Sequence, residues 1–573
     1  MTKTVRFVNK GLREEWFETI RKATARRMCE RGSVEESENA EFTVTLAAAE
    51  IPEDGYRLTN AGSSLTVEAS TEIGFFSGIG KFLRNSDFIP GSGFTPGRAG
   101  GLFTPAKPFR AMYYATHNYN FYHAAPKEEV FRYIEDSAFW GQNVLVVWYD
   151  MNHYTSVDSK ESVEFIAFLK NILFHAKKVG MKIAFTSNAN EAFFESEPEL
   201  RATWWPQNGY FREITAHYHK EYCPSKPGGM EAILRDREAM LRAFSDVGID
   251  YFITWPYDQG GCTCEKCVPW GSNGYLRIAR ALRPLIHKYF PDAKMCLSAW
   301  YFDLFTHGEW DAFYKEMKEG DYRDWISYII VDFKPNELIP AFIRRDKSVA
   351  GIPILDFTEI SMFSVSPWGG FGTNACPGRF SGIYERLGPM IAGGLPYSEG
   401  IHEDVNKIIM LGFFYGISDD VVEILREYCR FEFGPKEAEN VVELLQLLET
   451  THRRLFVRDE VRPEGRSPYR FVLTGRKNVE YIRDRAEEIN GRLDETTKNS
   501  WRWRIIYLRA LIDAELKAND WFVTDTCNEY FRELQKIYHT DARTAYCCAP
   551  PTPEVVFNAH GAPFKKQPSK YGI

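Results

Sequence analysis

Residues 251–267 read Tyr-Phe-Ile-Thr-Trp-Pro-Tyr-Asp-Gln-Gly-Gly-Cys-Thr-Cys-Glu-Lys-Cys. An apolar run of strand character ends in a carboxylate, Asp258, and a pair of glycines follows it. Enzymes built on a (β/α)8 barrel place their chemistry at the carboxyl ends of buried parallel strands. Three cysteines in a C-x-C-x-x-C spacing come next, and closely spaced thiols are a common way to hold zinc. The stretch therefore predicts both a catalytic carboxylate and a metal site.

The pattern around this stretch predicts a (β/α)8 TIM barrel. From Pro108 to about Leu411, short apolar runs alternate with amphipathic helical segments, as expected for βα units with buried parallel strands. Eight runs qualify, which is the number that closes such a barrel. The predicted strands are Ala111–Thr116, Asn143–Tyr149, Lys182–Ser187, Tyr251–Tyr257, Met295–Trp300, Ile326–Val331, Ile352–Phe357 and Gly394–Ser398.

Two further zones flank the predicted barrel. Residues 1–105 mix strand-like alternation with helical stretches and predict a small N-terminal α/β domain. Residues 106–411 form the predicted catalytic barrel. Residues 412–573 carry long amphipathic segments and predict an α-helical C-terminal domain, which could support a homodimer.

Bulk properties exclude several classes of protein. The chain has 573 residues, too many for one core, and its net charge of −8 comes without the basic face of a nucleic-acid binder. Because no run of eighteen apolar residues occurs and the N-terminus lacks an apolar signal core, we expect no membrane span and no secretory signal. Several of the 11 cysteines stand singly in apolar or helical surroundings. That usage is typical of a reducing compartment and predicts a cytoplasmic protein.

Acidic residues follow most of the predicted strands and are expected to meet at one mouth of the barrel. Like charges in one place raise the pKa of some members, so that one carboxyl can hold a proton while another stays ionised. Glycoside hydrolysis needs that division of roles. An acid at a strand end can instead cap the next helix, and Asp150 and Asp303 fit that role best. The catalytic candidates are Asp258, Glu359, Glu399 and Asp332.

Aromatic residues interleave with these acids, as a site for a small glycan or glycoside would require. Large aromatic cores produce the same composition, and a single histidine often has a purely structural role. The predicted substrate-binding residues are His117, Trp148, Glu191, Trp255, Tyr257, Trp300, Trp368 and His402.

The thiols of Cys262, Cys264 and Cys267 need a fourth ligand to close a structural zinc site. Cys223 is the best candidate because its loop, between predicted strands three and four, can reach the loop after strand four. His217 or His219 could take its place. A closed thiolate site would pin the loop that carries Asp258 and leave the zinc no open position. Free thiols, a redox pair, or a catalytic zinc with a thiolate nucleophile are the alternatives.

The order of the three zones resembles the α-glucuronidases of glycoside hydrolase family 67. The segment Tyr56–Arg84, a predicted hairpin followed by a helix, is similar to the domain that precedes the barrel in families 20 and 84. The family 67 resemblance implies an acid from strand four and base candidates from strands six and seven, where Asp258, Asp332 and Glu359 stand. Two features depart from the resemblance. The pair after strand four is Asp258-Gln259 rather than the Asp-Glu of family 20, and the thiol cluster is foreign to either pattern.

These observations predict an exo-acting glycoside hydrolase. Asp258 is the expected general acid, Glu359 or Glu399 the base or nucleophile, and Asp332 an assisting group. Two alternatives remain open at this point. One is a zinc-dependent enzyme acting on another carbohydrate bond, such as a lyase or epimerase, and the other is a non-catalytic glycan-binding protein.

Overall fold

The structure is a computed structural model, and it describes residues 1–117, 120–203, 220–257, 261–304, 307–333, 337–360, 370–459, 469–474, 478–539, 548 and 550. Within these residues no helix is both long and apolar enough to cross a membrane.

The N-terminal part is a six-stranded mixed sheet with two helices, and a separate two-stranded ribbon joins it. The strands are β1 (Thr4–Lys10), β2 (Glu35–Glu36), β3 (Phe42–Ala48), β4 (Tyr56–Asn60), β5 (Ser64–Ala69), β6 (Asp87–Ile89), β7 (Gly93–Thr95) and β8 (Gly101–Phe103), and the helices are α1 (Glu14–Gly32) and α2 (Glu72–Asn85). The hairpin of β4 and β5 followed by α2 confirms the arrangement predicted for Tyr56–Arg84.

Helix α2 contains glycines where it packs very closely against the barrel part on one side and the N-terminal sheet on the other. A Cβ atom on Gly80 would stand 1.9 Å from the carbonyl oxygen of Phe139, and one on Gly78 would stand 2.7 Å from the side chain of Val67. Thr71 caps the helix by accepting the main-chain N–H of Gly74 at 3.1 Å. Close approach to its neighbours therefore explains a helix that propensity alone disfavours.

The central part is a closed parallel barrel. Its strands and the short strands in its loops are β9 (Phe109–Tyr114), β10 (Val144–Trp148), β11 (Lys182–Asn188), β12 (Glu191–Ala192), β13 (Lys220–Glu221), β14 (Tyr251–Trp255), β15 (Lys294–Ser298), β16 (Ile326–Val331), β17 (Ser348–Val349), β18 (Ile352–Asp356), β19 (Ile391–Gly394) and β20 (Tyr397–Ser398). The barrel order is β9, β10, β11, β14, β15, β16, β18 and β19, which pairs back onto β9. Closure is tight, since a Cβ on Gly393 would stand 1.7 Å from the carbonyl oxygen of Phe109.

Helices surround the barrel and continue beyond it. Those of the barrel are α3 (Phe121–Ala124), α4 (Lys127–Ala138), α5 (Lys160–Lys178), α6 (Gly229–Ala243), α7 (Arg277–Tyr289), α8 (Glu309–Glu319), α9 (Ala341–Asp346), α10 (Pro377–Leu387) and α11 (Asp404–Tyr415). The C-terminal part contains α12 (Val421–Phe433), α13 (Ala438–Glu449), β21 (Arg454–Arg458), β22 (Tyr469–Leu473), α14 (Val479–Arg492), α15 (Glu495–Lys498), α16 (Trp501–Ala518) and α17 (Asp525–Tyr538).

The eight predicted barrel strands all exist, and the ends of the first seven differ from the prediction by at most two residues. The eighth is interrupted, because the predicted run Gly394–Ser398 is divided between the end of β19 and the short β20. The C-terminal part departs from the all-helical expectation at one place, where β21 and β22 pair as an antiparallel hairpin.

Candidate active site

Three of the predicted acids lie at the mouth formed by the carboxyl ends of the barrel strands. Asp332 follows β16 directly, Glu359 lies three residues beyond β18, and Glu399 follows β20. The backbone of Glu359 forms an isolated parallel bridge with Tyr397. The acids of the seventh and eighth strands are therefore close neighbours.

Glu399 occupies an environment that favours its protonated form. Tyr397 donates its hydroxyl to Glu399 Oε1 at 2.7 Å. Burial, and then the negative charges of Glu403 and Glu359, raise the pKa of Glu399 to about 8 against the lowering effect of that hydrogen bond. Because this carboxyl lies at the mouth and remains partly exposed, it is placed to give a proton to a ligand at neutral pH.

A partly buried arginine, Arg379, lies near the acids of strands six and seven. Arg379 donates from Nη1 to the main-chain oxygen of Glu359 at 2.9 Å. Burial lowers the pKa of Arg379, and nearby negative charges, those of Glu359, Asp332 and Asp356 among them, oppose that effect. Its positive charge favours the ionised form of Asp356. The fully buried Asp356 nevertheless has its pKa raised to about 6, mainly by burial.

Aromatic rings form the floor of the mouth. Trp255 packs against Phe357 with ring centroids 4.7 Å apart, and Tyr113 packs edge-on against Tyr397 at 5.4 Å. The predicted substrate-binding residues Trp148 and Trp255 are only 2% and 3% exposed. Both rings pack in the apolar cluster inside the barrel and present at most an edge to a ligand.

Trp300 is better placed for stacking, because it remains partly exposed above this floor. Its ring lies 3.8 Å from that of Tyr301, nearly parallel at 16°. Among the residues that the structure describes, the indole nitrogen of Trp300 has no hydrogen-bond partner although it is buried. Tyr301 holds a left-handed φ of 62°, a strained conformation that often marks functional loops.

His117 lies beside the floor and is nearly buried. Its ring stands 4.4 Å from that of Trp148, and its Nδ1 is 3.2 Å from the Tyr113 hydroxyl. The predicted binding residue Glu191 is fully buried instead, and its oxygens accept the main-chain N–H of Met151 at 2.6 Å and the indole N–H of Trp148 at 3.3 Å. This carboxylate braces the loops after the second and third strands from below the mouth.

Tyr257, another predicted substrate-binding residue, is buried beneath the mouth and contacts a buried carboxyl group. Its hydroxyl donates to Glu309 Oε1 at 2.6 Å, and Glu309 further accepts the main-chain N–H groups of Gly271 at 3.2 Å and Asp303 at 3.0 Å. Burial raises the pKa of Glu309 to about 8. Sequence reasoning missed Glu309 because it begins a helix, α8, six residues beyond the acid of its own loop.

Two acids fill the capping role that the sequence favoured for them. Asp150 accepts the main-chain N–H of Asn152 at 3.0 Å, and Asp303 accepts that of Glu309 at 2.7 Å. Each carboxylate therefore stabilises the turn that follows its strand.

A buried ion pair lies behind Glu399 and was also missed. His402 Nε2 is 3.2 Å from Glu403 Oε1, and Lys407 Nζ is 3.7 Å from Glu403 Oε2. The predicted binding residue His402 thus faces Glu403. The i, i+4 spacing of Glu403 and Lys407 was a signal in the sequence, but such a pair is common on exposed helix faces.

The four predicted thiols meet in one cluster. The sulfur atoms of Cys223, Cys262, Cys264 and Cys267 all lie within 4.8 Å of one another. Cys223 Sγ is 3.8 Å from the sulfur of Cys264 and 3.9 Å from that of Cys267. Zinc bonded to four sulfurs at about 2.3 Å sets them about 3.8 Å apart in a tetrahedron. The donor set and its spacing therefore fit a closed tetrathiolate metal site.

Asn190 connects this cluster to the mouth. Its amide donates to the main-chain oxygens of Tyr222 and Gly261, both at 2.9 Å, and its side-chain oxygen accepts the N–H of Gly261 at 3.0 Å. Tyr222 and Gly261 directly precede Cys223 and Cys262 in the chain. One buried side chain thus ties the two cysteine-bearing segments to the loop after the third strand.

Some predicted residues lie outside the described residues. These are Asp258, Trp368, and the alternative metal ligands His217 and His219.

The fold is similar to those of solved glycoside hydrolases. A family 89 glycoside hydrolase from Clostridium perfringens, in complex with 2-acetamido-1,2-dideoxynojirmycin, has a TM-score of 0.61 and 10% identity over 91% of this chain. The match covers 65% of that enzyme, just under two thirds of its length. No protein-family model and no curated protein sequence matches the chain.

Two other solved enzymes share the architecture. A family 115 4-O-methyl-α-glucuronidase with specificity for decorated arabinogalactans has a TM-score of 0.55 and 10% identity, over 96% of this chain and 81% of its own. A β-hexosaminidase from Streptomyces plicatus, in complex with the product GlcNAc, has a TM-score of 0.50 and 12% identity, over 78% of this chain and 92% of its own. At these identities the similarity concerns the fold.

Proposed function

We propose that this protein is an exo-acting glycoside hydrolase that cleaves a terminal sugar from a small glycan or glycoside at the mouth of its barrel. One observation carries the proposal: Glu399, whose pKa is raised to about 8, adjoins Glu359, whose main-chain oxygen accepts from the Arg379 guanidinium at 2.9 Å. A proton-holding carboxyl beside an ionised one is what glycosidic cleavage needs. The similar folds of several glycoside hydrolases support the proposal without naming the sugar.

In this proposal Glu399 protonates the leaving oxygen, and Glu359 acts on the sugar carbon as nucleophile or through a water molecule. Asp332 assists through its interaction with Arg379. The partly exposed Trp300 provides the face on which the sugar ring stacks. The sequence predicted Asp258 as the general acid and Glu399 as a base or nucleophile; Asp258, which lies outside the described residues, stays the competing assignment for the acid role.

The direct test is hydrolysis of a panel of nitrophenyl glycosides by the full chain and its variants. E359Q is expected to lower kcat by a factor of about 10²–10⁴ on any sugar that is cleaved. The matched control is E427Q, since Glu427 lies in an ion pair with Arg84 (3.0 Å) far from the mouth, and its turnover should stay near that of the wild type. Equal rates for E359Q and the wild type would remove Glu359 from the mechanism.

The leaving group separates Glu399 from Asp258 as the acid. A nitrophenolate departs without protonation, whereas an alkoxide does not, so the variant that lacks the acid loses far more activity on an alkyl glycoside than on a nitrophenyl glycoside. We expect E399Q to show this selective loss. If D258N shows it and E399Q does not, the acid role belongs to Asp258.

We further infer that the four thiols hold a structural zinc ion. Four thiolates leave zinc no open coordination position, so when bound it would supply loop stability and no Lewis acidity. Elemental analysis of the purified protein should find one zinc per chain, and C267S should lose it. C29S, which alters the exposed free thiol of Cys29, should keep it, and a wild-type protein without bound metal would refute the site.

The thiols also support the cytoplasmic location in this proposal. In the described part of the chain, no cysteine forms a disulfide. Thiols persist in a reducing compartment.

A further inference from the structure

We propose that Glu403 is a positioning residue for Glu399: its buried carboxylate holds the backbone of the turn that carries Glu399 and keeps a fixed negative charge behind that side chain. The inference deepens the proposed function and rests on it for its kinetic readout.

The contacts of Glu403 converge on the turn Ser398–Gly400. Its carboxylate accepts the main-chain N–H of Glu399 at 2.9 Å (Oε1) and 3.1 Å (Oε2), and that of Gly400 at 3.3 Å. The hydroxyl of Ser398 donates to it at 2.5 Å. Three successive residues are therefore fixed by one fully buried carboxylate. A carboxylate that accepts several N–H groups is strongly stabilised in its ionised form.

Lys407 compensates this buried charge from the opposite side. Its ammonium group donates to the main-chain oxygen of Gly400 at 2.7 Å and to the hydroxyls of Tyr122 and Tyr133, both at 2.9 Å. Lys407 is 1% exposed and Glu403 is 0% exposed. Both buried side chains therefore hold the same turn: Glu403 accepts its main-chain N–H groups, and Lys407 donates to its main-chain oxygen.

The charged groups around Glu403 and Glu399 determine which protonation state each carboxyl group favours. Burial opposes the charge of Glu403, but His402 and Lys407 outweigh burial and lower the pKa of Glu403 to about 2. Glu403 is therefore ionised throughout the working range. The groups that act on Glu399 are the Tyr397 hydroxyl and the charges of Glu403 and Glu359, and the two like charges disfavour its ionisation.

A purely structural role would not require a buried ion pair between Glu403 and Lys407. Replacing a buried ion pair with apolar residues of similar volume is often neutral or stabilising, so such a pair is weak evidence for stability alone. Here the pair borders a partly exposed carboxyl at the mouth and touches its backbone directly. That placement points to control of Glu399.

The test compares E403Q with E403D through the pH dependence of kcat/KM on a cleaved glycoside. The fall of kcat/KM at high pH, its alkaline limb, reports loss of the proton from Glu399. E403Q removes the neighbouring charge at nearly constant shape, so this limb should move to lower pH by about one unit. Above the limb, kcat/KM of E403Q should be about tenfold lower than that of the wild type. E403D keeps the charge but is shorter, so it should retain the limb and lose kcat. An unchanged limb in E403Q, with only thermal stability reduced, would overturn the proposal. If E403Q does not fold, a kcat for E403D equal to that of the wild type would overturn it.

Two further measurements make the result specific. E427Q, the same substitution at the pair with Arg84, should leave the limb in place. Infrared titration of the carboxylic acid band that disappears in E399Q follows the proton on Glu399 without turnover. If no glycoside is cleaved, the proposed function fails, and this titration in the wild type and E403Q still decides the positioning role: a lower titration point in E403Q supports it and an equal one refutes it.

Discussion

At the scale of single residues, burial and partners decide what a carboxylate does. Three glutamates, Glu191, Glu309 and Glu399, each follow a different strand of the barrel part, yet their carboxylate oxygens contact different groups. Glu191 accepts backbone N–H groups, Glu309 accepts the hydroxyl of Tyr257, and Glu399 lies at the mouth beside Tyr397. The sequence shows an acid in each place and cannot show which oxygens remain available to a ligand.

Glu309 should leave a signature in the pH dependence of stability. Its pKa is raised to about 8 by burial, so between its unfolded value and pH 8 the folded state binds more protons and stability falls as pH rises. We expect this group to remove on the order of 2–4 kcal/mol of unfolding free energy between pH 5 and 8. Urea unfolding of E309Q should therefore show a flatter pH dependence, although its overall stability drops. A slope equal to that of the wild type would contradict the assignment.

Trp300 should contribute to binding more than to chemistry. Stacking of a sugar on an aromatic face is worth about 1 kcal/mol, so W300A is expected to raise KM about fivefold with little change in kcat. W16A is the control, because Trp16 packs against Arg13 in the N-terminal part. The prediction fails if W300A lowers kcat and leaves KM unchanged.

At the scale of elements, the pattern of apolar residues predicted the barrel strands, whereas the contacts between elements emerged only from the structure. Buried parallel strands are continuous apolar runs, so β14 and β16 could be read directly from the chain. The hairpin of β21 and β22 could not, because each strand is only five residues long and carries a single run of three apolar residues among long helical segments. Residues such as Asn190 and Glu403 were missed for a related reason: they matter through contacts between elements.

Arg502, near the start of α16, joins elements of the barrel and the C-terminal part. It donates to Asp404 at 3.0 Å and to Asp136 at 2.9 Å, and it lies 3.7 Å from Glu432. Because removing one member leaves buried charges uncompensated, R502M should lower the unfolding free energy by about 3 kcal/mol or more. Chemical denaturation measures this loss.

The control for R502M is R504M on the same helix. Arg504 pairs with Glu533 at 2.5 Å at a more exposed position, where an ion pair is worth about 1 kcal/mol at most. Equal losses of unfolding free energy for the two variants would mean that burial does not increase the contribution of Arg502 to stability.

At the scale of the whole molecule, a buried side chain of the N-terminal part forms hydrogen bonds with residues of the barrel. Asp54 of the N-terminal part accepts from Arg110 at 2.8 Å and from Asn143 at 2.9 Å, both in the barrel. Tyr415 at the end of α11 donates its hydroxyl to the main-chain oxygen of Asp54 at 2.8 Å. These buried contacts hold the N-terminal sheet against the barrel, and they connect units that the sequence presents as separate zones.

The contacts of Asp54 predict that the N-terminal sheet and the barrel unfold together. Calorimetry of the full chain should give one transition for these parts, and D54N should separate an earlier transition by weakening the junction, at a cost of about 3 kcal/mol. Asn accepts the left-handed φ of 59° at this position, so backbone strain does not confound the result. D87N is the control, since Asp87 pairs with Arg430 at a more exposed junction.

Acid pH should act on the same junction. Burial opposes the charge of Asp54, but Arg110 and three hydrogen bonds outweigh it and lower its pKa. Its contribution to stability is therefore present above the unfolded pKa and is lost as pH falls through the folded one. We expect the wild-type transition to split on acidification while D54N, already split near neutral pH, changes less. If the two proteins respond equally to acid, the junction depends on groups other than the Asp54 carboxylate, and the apolar contacts between α2 and the barrel would have to hold it.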